Sequence, residues 1–262
     1  MLWALTERRK RKMSTLYERP KSILPNASSY CPGCLHATAT RIIAEAIDEL
    51  GQKDNAIYVL PVGCSTQGLV SWDLDIIGSA HGRAPAVATG IKRMRPDCLV
   101  FCYQGDGDLA SIGLSEIMSA ANRGENITVI FANNSIYGMT GGQMAPTTLI
   151  GQKATTAKEG RQLLGTGYPL KMCELIKELD APRLVARYTL RTPQGIRQAK
   201  QAILKGFKNQ LEGKGFSFIE LLTNCPTTWH TDALGSLEFM ENYTEKYFEC
   251  KVFTDKEERF GN

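Results

Sequence analysis

Cys98-Leu-Val-Phe-Cys-Tyr-Gln-Gly-Asp-Gly-Asp-Leu-Ala-Ser-Ile-Gly113 decides the fold of this chain. Its first six residues are apolar and rich in β-formers, which reads as a buried strand. Gly105 and Gly107 bracket Asp106 where a strand must turn sharply into a helix. Leu109, Ile112, Ile117 and Ala121 then recur at helical spacing, and Gly124 stops the helix. A second apolar run, Ile127-Thr-Val-Ile-Phe-Ala-Asn-Asn134, begins the next strand. Strand, helix and returning strand make a unit whose two strands are parallel. Ligands of open parallel sheets sit beyond the carboxyl ends of the strands, and Asp106 and Asn134, 28 residues apart, fall at two such ends. A carboxylate and an amide oxygen are hard ligands, suited to Mg²⁺ that keeps substrate phosphates in its shell. Gly-Asp-Gly or Asn-Asn alone is ordinary turn composition; the pair at this spacing and phase is specific.

The pair resembles the signature of thiamine-diphosphate enzymes. The resemblance implies Mg²⁺ held by Asp106, Asn134 and the main-chain carbonyl of Ile136, and diphosphate near Gly105, Gly107 and Asp108. Main-chain amides around Gly107 and Asp108, at a helix start, suit phosphate oxygens.

The second signal is eight cysteines. Cys31 and Cys34 form a C-x-x-C pair ahead of a helix, Cys64 follows a short strand, and Cys225 sits in Asn224-Cys-Pro-Thr-Thr-Trp229. Nothing resembles a secretory leader, so a disulfide framework is not expected. C-x-x-C has three common readings: zinc, thiol redox and iron–sulfur. Zinc ribbons repeat the pair, and here it occurs once. A thioredoxin-like role leaves Cys64 and Cys225 unexplained. Cys98, Cys102 and Cys173 lie in apolar patterns and read as small core residues; Cys250 lies near the end of the chain.

Together the two signals resemble the β, thiamine-diphosphate-binding subunit of 2-oxoacid:ferredoxin oxidoreductases. The likeness runs from Tyr30 to Trp229 and includes Ala80-His-Gly-Arg-Ala-Pro-Ala-Val-Ala-Thr-Gly-Ile-Lys92 and Tyr137-Gly-Met-Thr-Gly-Gly-Gln143. Through Tyr30-Cys-Pro-Gly-Cys-Leu-His36 it leans towards the branched-chain, 2-oxoisovalerate type, with 2-oxoglutarate as the alternative. The resemblance implies an α/β fold: an open, mostly parallel sheet with helices on both faces. It implies a 4Fe–4S cluster on Cys31, Cys34, Cys64 and Cys225, beside thiamine diphosphate and Mg²⁺. It implies oxidative decarboxylation of a 2-oxoacid to acyl-CoA and CO₂, with electrons passed to ferredoxin. Val62, Gly63, Cys64 and Ser65 would lie beside the cofactor, with His81, Gly138 and Met139 touching it. Arg83 is a candidate for a phosphate or substrate carboxylate. His36 and His230 read as structural, with His36 able to tune the cluster through a hydrogen bond. No catalytic residue is assigned in this chain, because the Glu that activates the cofactor belongs to the partner subunit in this family. The implied partners are α/γ subunits, a ferredoxin-like δ subunit or ferredoxin, coenzyme A and the 2-oxoacid. A non-redox thiamine-diphosphate decarboxylase subunit shares Asp106 and Asn134 but needs no placed cysteines. A zinc-stabilised assembly protein explains the cysteines but not Asp106 and Asn134.

Charge locates further limits. Arg8-Arg-Lys-Arg-Lys12 and one Glu among the first 13 residues account for the whole net +4, so the remainder is neutral. That argues against a nucleic-acid surface on the folded body. The basic arm reads as solvated, and Met13 as an alternative start. No apolar run reaches the length of a membrane span, and a cytoplasmic location is expected. Residues 1–29 read as an N-terminal, partly disordered arm, 30–225 as the thiamine-diphosphate and iron–sulfur domain, and 226–262 as a partner-packing tail. Helices are expected over 37–50, 81–94, 170–179 and 192–212, and strands over 56–64, 183–188 and 217–222. Lys92 and Arg93 read as a solvated helix face, and 138–170 as a functional loop over the site.

Overall fold

The apolar run from Leu99 is the hub of the sheet. The structure, a computed structural model, describes residues 17–26 and 28–257. The basic arm at 8–12 and Met13 lie outside the described residues. The strand Leu99–Gly105 alternates its side chains between two faces. Leu99, Phe101 and Tyr103 enter one core, and Val100 and Cys102 the other. A strand buried on both faces has no polar side to show, so its sequence reads as one continuous apolar run.

In chain order the strands are β1 Ala56–Leu60, β2 Asp75–Gly78, β3 Leu99–Gly105, β4 Thr128–Asn133, β5 Ile136–Tyr137, β6 Gln143–Met144, β7 Leu184–Thr189, β8 Ser217–Leu222 and β9 Val252–Asp255. Seven of them form one sheet in the order β2-β1-β3-β4-β8-β7-β9, while β5 and β6 pair separately. Every neighbour in the large sheet is parallel except β9 on β7. Helices His36–Glu49 and Pro193–Leu211 cover one face through Ile42, Ile43, Ala199 and Phe207. Helices Ala84–Met94, Leu114–Asn122 and Met172–Lys177 cover the other through Ala88, Ile117 and Ile176. The sheet is thus the open, mostly parallel one the sequence implies. Cys98, Cys102 and Cys173 are buried in that second core. Among the described residues no helix is long and apolar enough to cross a membrane.

Four features go beyond the expectation or differ from it. The helix read through Leu109 to Ala121 is two pieces, a π-turn over Gly107–Ile112 and an α-helix over Leu114–Asn122. The wider turn is closed by the Gly113 amide, which donates to the Asp108 carbonyl at 2.8 Å, and Gly113 packs so close to Gly82 that a Cβ would lie 2.3 Å from its carbonyl oxygen. β2 and β9 are short, exposed edge strands whose mixed composition gives little periodic signal. The stretch after Cys225 carries helix Ala233–Phe239 and β9, so in its described part it packs on the body of this chain. Lys92 is buried, its Nζ donating to the carbonyls of Pro96 at 2.9 Å and Cys98 at 2.6 Å, whereas Arg93 is exposed as expected and pairs with Glu125.

The topology also sets the place for a ligand. The chain leaves β1 for β2 on one side and returns to β3 on the other. That reversal opens a crevice beyond the carboxyl ends of β1 and β3. The Gly105↔Ala132 register places Asp106 beside the Asn133-Asn134 turn.

Candidate active site

A pocket of about 110 Å³ opens at that crevice. Val62, Gly63 and Cys64 enter it from the end of β1, Gly105 to Asp108 from the end of β3, and Asn134 and Ile136 to Thr140 from the stretch after β4. His81 lines it from the turn before helix Ala84–Met94, and His36 from the first residue of helix His36–Glu49. Gly63 has φ of +125° with open space where a side chain would be, and Gly105 is equally open. Such glycines let a ligand approach the main chain.

Asp106 is almost fully buried. Its Oδ1 accepts from the amide of Gly107 at 3.0 Å. Its Oδ2 accepts from the amide of Ile136 at 3.0 Å and the hydroxyl of Thr147 at 2.8 Å. Burial pushes its carboxyl up to about 7, against those three hydrogen bonds, which pull it down. A carboxylate so desolvated is suited to a cation that compensates it. Asn134 turns the same way, its Oδ1 accepting from the Ile136 amide at 3.3 Å. The bend between them is Ser135, a non-glycine residue at φ +60°. Its amide donates to Asn133 Oδ1 at 3.1 Å, and its carbonyl accepts from Thr148 Oγ1 at 2.6 Å. Asn133 Nδ2 in turn donates to Glu220 Oε1 at 2.8 Å, and Glu220 pairs with Arg187 at 2.8 Å, both side chains fully buried. The two asparagines therefore do different work: Asn133 anchors the turn, and Asn134 lines the pocket with Ile136. One carboxylate, one amide oxygen and one carbonyl fit a Mg²⁺ that keeps diphosphate oxygens in its remaining positions.

Asp108 faces the other wall. It accepts from the amide of Gly82 at 2.8 Å and from Gln104 Nε2 at 2.5 Å, and its Oδ1 lies 2.6 Å from His81 Nδ1. The carboxylate so fixes the ring of His81 at the pocket.

The four sequence-selected cysteines meet above β1 and β8. A Cβ on Gly138 would lie 3.3 Å from both Cys64 Sγ and Cys225 Sγ. Burial, and then the neighbouring thiols of Cys225, Cys34 and Cys31, push Cys64 up to about 12. Cys34 rises to about 12 for the same reasons. Asn224 ties the two cysteine segments together: Oδ1 accepts from the Leu35 amide at 2.9 Å, and Nδ2 donates to the Gly33 carbonyl at 3.0 Å. Among the described residues no three His, Cys, Asp or Glu side chains close on a single metal ion. Four thiols around a shared space suit a larger iron–sulfur cluster.

The sequence-selected residues therefore gather, with exceptions. Val62, Gly63, Cys64, His81, Gly105, Gly107, Asp108, Gly138 and Met139 all line the pocket with Asp106, Asn134 and Ile136. Ser65 lies beneath it, fully buried, its carbonyl accepting from the Tyr58 hydroxyl at 2.8 Å. The Gly107 amide, expected to meet phosphate, is turned to Asp106 instead. Arg83 donates to the Ile112 carbonyl and pairs with Glu116 at 2.6 Å. His36 is more central than its sequence suggests: it is buried, 2.5 Å from Tyr103 Oη, stacked on Tyr30 and held near pKa 4 by burial. Its place directly after Cys34 and Leu35 was the available signal. Asn224 had the like signal of preceding Cys225, whereas Thr147 and Glu220 carried none, because each meets the site only through the fold.

Known proteins share this arrangement. A family model for the C-terminal, thiamine-pyrophosphate-binding domain of thiamine pyrophosphate enzymes matches residues 62–221. The fold and the pocket are thus those of a thiamine-diphosphate-binding protein. The ketoisovalerate oxidoreductase subunit VorA of Methanothermobacter thermautotrophicus is 48% identical over 241 residues, covering 92% of this chain and 50% of the relative. The 2-oxoglutarate synthase subunit KorB of Methanocaldococcus jannaschii is 40% identical over 200 residues, covering 76% of this chain and 69% of the relative. In fold, a solved 2-oxoglutarate:ferredoxin oxidoreductase from Magnetococcus marinus superposes with a TM-score of 0.72, over 95% of this chain and 88% of that one at 23% identity. The chain belongs to the thiamine-diphosphate-binding subunits of the 2-oxoacid:ferredoxin oxidoreductases. It spans about half the length of the ketoisovalerate relatives it matches.

Proposed function

We propose that this chain is the catalytic thiamine-diphosphate subunit of an oxidoreductase that converts a branched-chain 2-oxoacid, CoA and an oxidised ferredoxin into acyl-CoA, CO₂ and reduced ferredoxin. The observation that carries the reading is one pocket lined by both Asp106, Asn134 and Ile136 and by Cys64 of the four-thiol group. Thiamine diphosphate, when bound, supplies the nucleophilic carbon and the electron sink for decarboxylation. The chain's own part is placement. Asp106, Asn134 and the Ile136 carbonyl hold Mg²⁺ and with it the diphosphate. Cys31, Cys34, Cys64 and Cys225 hold a 4Fe–4S cluster against the same pocket, which gives electrons a short path out.

The branched-chain choice has two supports. The ketoisovalerate relatives share more identity and more of this chain than the 2-oxoglutarate relatives do. The pocket rim also shows exposed Val62 and Met139, and among the described residues no Lys or Arg lines it. An apolar acyl chain suits that rim better than the second carboxylate of 2-oxoglutarate, which wants a cation. Among the described residues no Glu lines the pocket either, in keeping with a partner subunit that supplies the activating carboxylate. The isolated chain is then inactive, and the α/γ and δ subunits complete the enzyme, which works in the cytoplasm.

The test is the iron, sulfide, zinc, magnesium and thiamine content of the anaerobically purified enzyme, with an EPR spectrum after reduction. Four iron and one thiamine diphosphate per chain, with the reduced-cluster signal lost in Cys64→Ala, support the assignment. Thiamine without iron moves the chain to the non-redox decarboxylases. Zinc without thiamine overturns both metal assignments. A kcat/KM higher for 2-oxoglutarate than for 3-methyl-2-oxobutanoate overturns the substrate choice alone.

A further inference from the structure

Arg161 is a cation in an unusual place. Its side chain is buried, and every one of its described partners is a neutral main-chain carbonyl. Nη1 donates to Pro146 at 2.7 Å, Thr148 at 2.8 Å and Ala145 at 3.3 Å. Nη2 donates to Thr166 at 2.9 Å and Tyr168 at 3.0 Å, and Nε to Gly167 at 3.1 Å. A guanidinium cannot shed its proton, so burial among carbonyl dipoles carries a desolvation cost that only such saturation offsets. The six carbonyls belong to two separate stretches, 145–148 and 166–168. The planar fork therefore clamps one stretch against the other, a geometry that a lysine ammonium does not reproduce.

The first of those stretches carries the contact that matters. Thr147 lies between the clamped carbonyls of Pro146 and Thr148, and its hydroxyl donates to Asp106 Oδ2 at 2.8 Å. Thr148 makes the parallel contact to the Ser135 carbonyl, on the turn that bears Asn134 and Ile136. With the Ile136 amide, Thr147 fully occupies Oδ2. Oδ1 has a single amide donor and keeps a lone pair for the pocket. The hydroxyl thus selects which carboxylate oxygen meets the cation.

We propose that Thr147 is a positioning residue of the cation site, fixing Asp106 for Mg²⁺, and that Arg161 acts through it by holding the 145–148 stretch in place. The inference rests on the reading of Asp106, Asn134 and Ile136 as the Mg²⁺ site. Neither residue lies in the Gly-Asp-Gly or Asn-Asn pattern, and both sit in the long stretch between β4 and β7.

The experiment titrates Mg²⁺ into the assembled oxidoreductase after chelation, with thiamine diphosphate present, and reads binding by calorimetry. Thr147→Val removes the hydroxyl at nearly constant shape, and its Mg²⁺ dissociation constant is expected to rise roughly tenfold to a hundredfold, the usual effect of losing a partner of a metal-binding carboxylate. Thr147→Ser restores the hydroxyl and is expected to bind within about threefold of the unaltered enzyme. Arg161→Lys is expected to weaken Mg²⁺ as Thr147→Val does, and the double variant no further, because both act on one contact. Unaltered binding in Thr147→Val, or no rescue by serine, overturns the positioning role. Additive losses in the double variant overturn the path through Thr147. An Arg161→Lys chain that melts far lower, with Thr147→Val binding normally, reduces both residues to stability alone. Asp106→Asn separates the two levels: if it still binds Mg²⁺, the site reading itself fails, and if it does not, the Thr147 result stands on its own.

Discussion

Asp106 and Cys64 line the same pocket, yet the chain holds them in opposite ways. Three donors fix the two oxygens of Asp106, and the Asn133–Glu220–Arg187 chain fixes the turn beside it. The cysteines have fewer donors each. Cys225 Sγ accepts from Thr228 Oγ1 at 2.9 Å and from the Thr228 amide, and Cys34 Sγ accepts from the His36 amide and makes a long contact of 3.9 Å to the Asn224 carbonyl. The oxygen wall is finished by hydrogen bonds before any ion arrives. On the proposed reading the sulfur wall gains its order from the cluster, since thiols raised to about 12 by burial must lose protons to become ligands.

Four measurements press on that contrast. The largest effect is expected from Cys225→Ala: the reduced-cluster EPR signal disappears, while thiamine diphosphate and Mg²⁺ stay bound. Loss of both cofactors together would join the two walls into one unit and break the comparison. Next is Gly107→Ala. Its new Cβ would fall 2.1 Å from a ring carbon of Tyr137, whose hydroxyl donates to the Gly107 carbonyl at 3.3 Å. A finished wall does not yield, so overpacking of about 1–3 kcal/mol is expected to weaken cofactor binding about tenfold to a hundredfold. Calorimetry checks it, with iron content unchanged.

The third concerns acid. His36 is lowered from 6.5 to about 4 by burial, so the unfolded chain binds a proton more readily than the folded one. Its contribution is therefore fully present above pH 6.5 and is lost as pH falls towards 4, at most about 3 kcal/mol. Melting curves of the enzyme across that window are expected to fall more steeply than those of His36→Phe, which has no proton to gain. Equal slopes would mean that the ring is not held neutral. The smallest effect is expected from Gly138→Ala. A Cβ there would stand 3.3 Å from both sulfurs, close enough to nudge them. The softer wall gives by a few tenths of an ångström, so iron content is unchanged and only the EPR line shape moves. Loss of iron would show the sulfur wall to be as rigid as the oxygen wall.

The same contrast governs what could be read from the sequence. The sheet was legible where strands are buried on both faces, as in Leu99–Gly105 and Ser217–Leu222, because no polar alternation dilutes them. β2 and β9 were not, since exposed edges carry mixed residues. The pocket residues that lie next to glycine turns and cysteine spacing, such as Asp106, Asn134 and Cys64, stand out in the chain itself. Their supports do not. Thr147 is 41 residues from Asp106, and Glu220 is 87 from Asn133. Such pairs exist only once the strands are in register, and neither a threonine in a loop nor a glutamate in an apolar strand has a local pattern. Lys92 fails in the reverse direction: its place in a basic pair suggests solvent, whereas its stem runs inward to two carbonyls.

The position of β8 has a consequence for how the chain is made. β8 sits between β4 and β7, yet it is synthesised after both. Until Ser217–Leu222 leaves the ribosome, one side of Thr128–Asn133 has no neighbour, a delay of about 90 residues, or roughly 5–20 s at ordinary elongation rates. During that interval Val129, Ile130 and Phe131 present an unpaired edge, the kind that recruits other chains. The Asn133-Asn134 turn also lacks its anchor, because Glu220 arrives on the same late strand. Closing the sheet and completing the oxygen wall are therefore one event in time, and a nascent chain that binds cofactor has already inserted its penultimate strand.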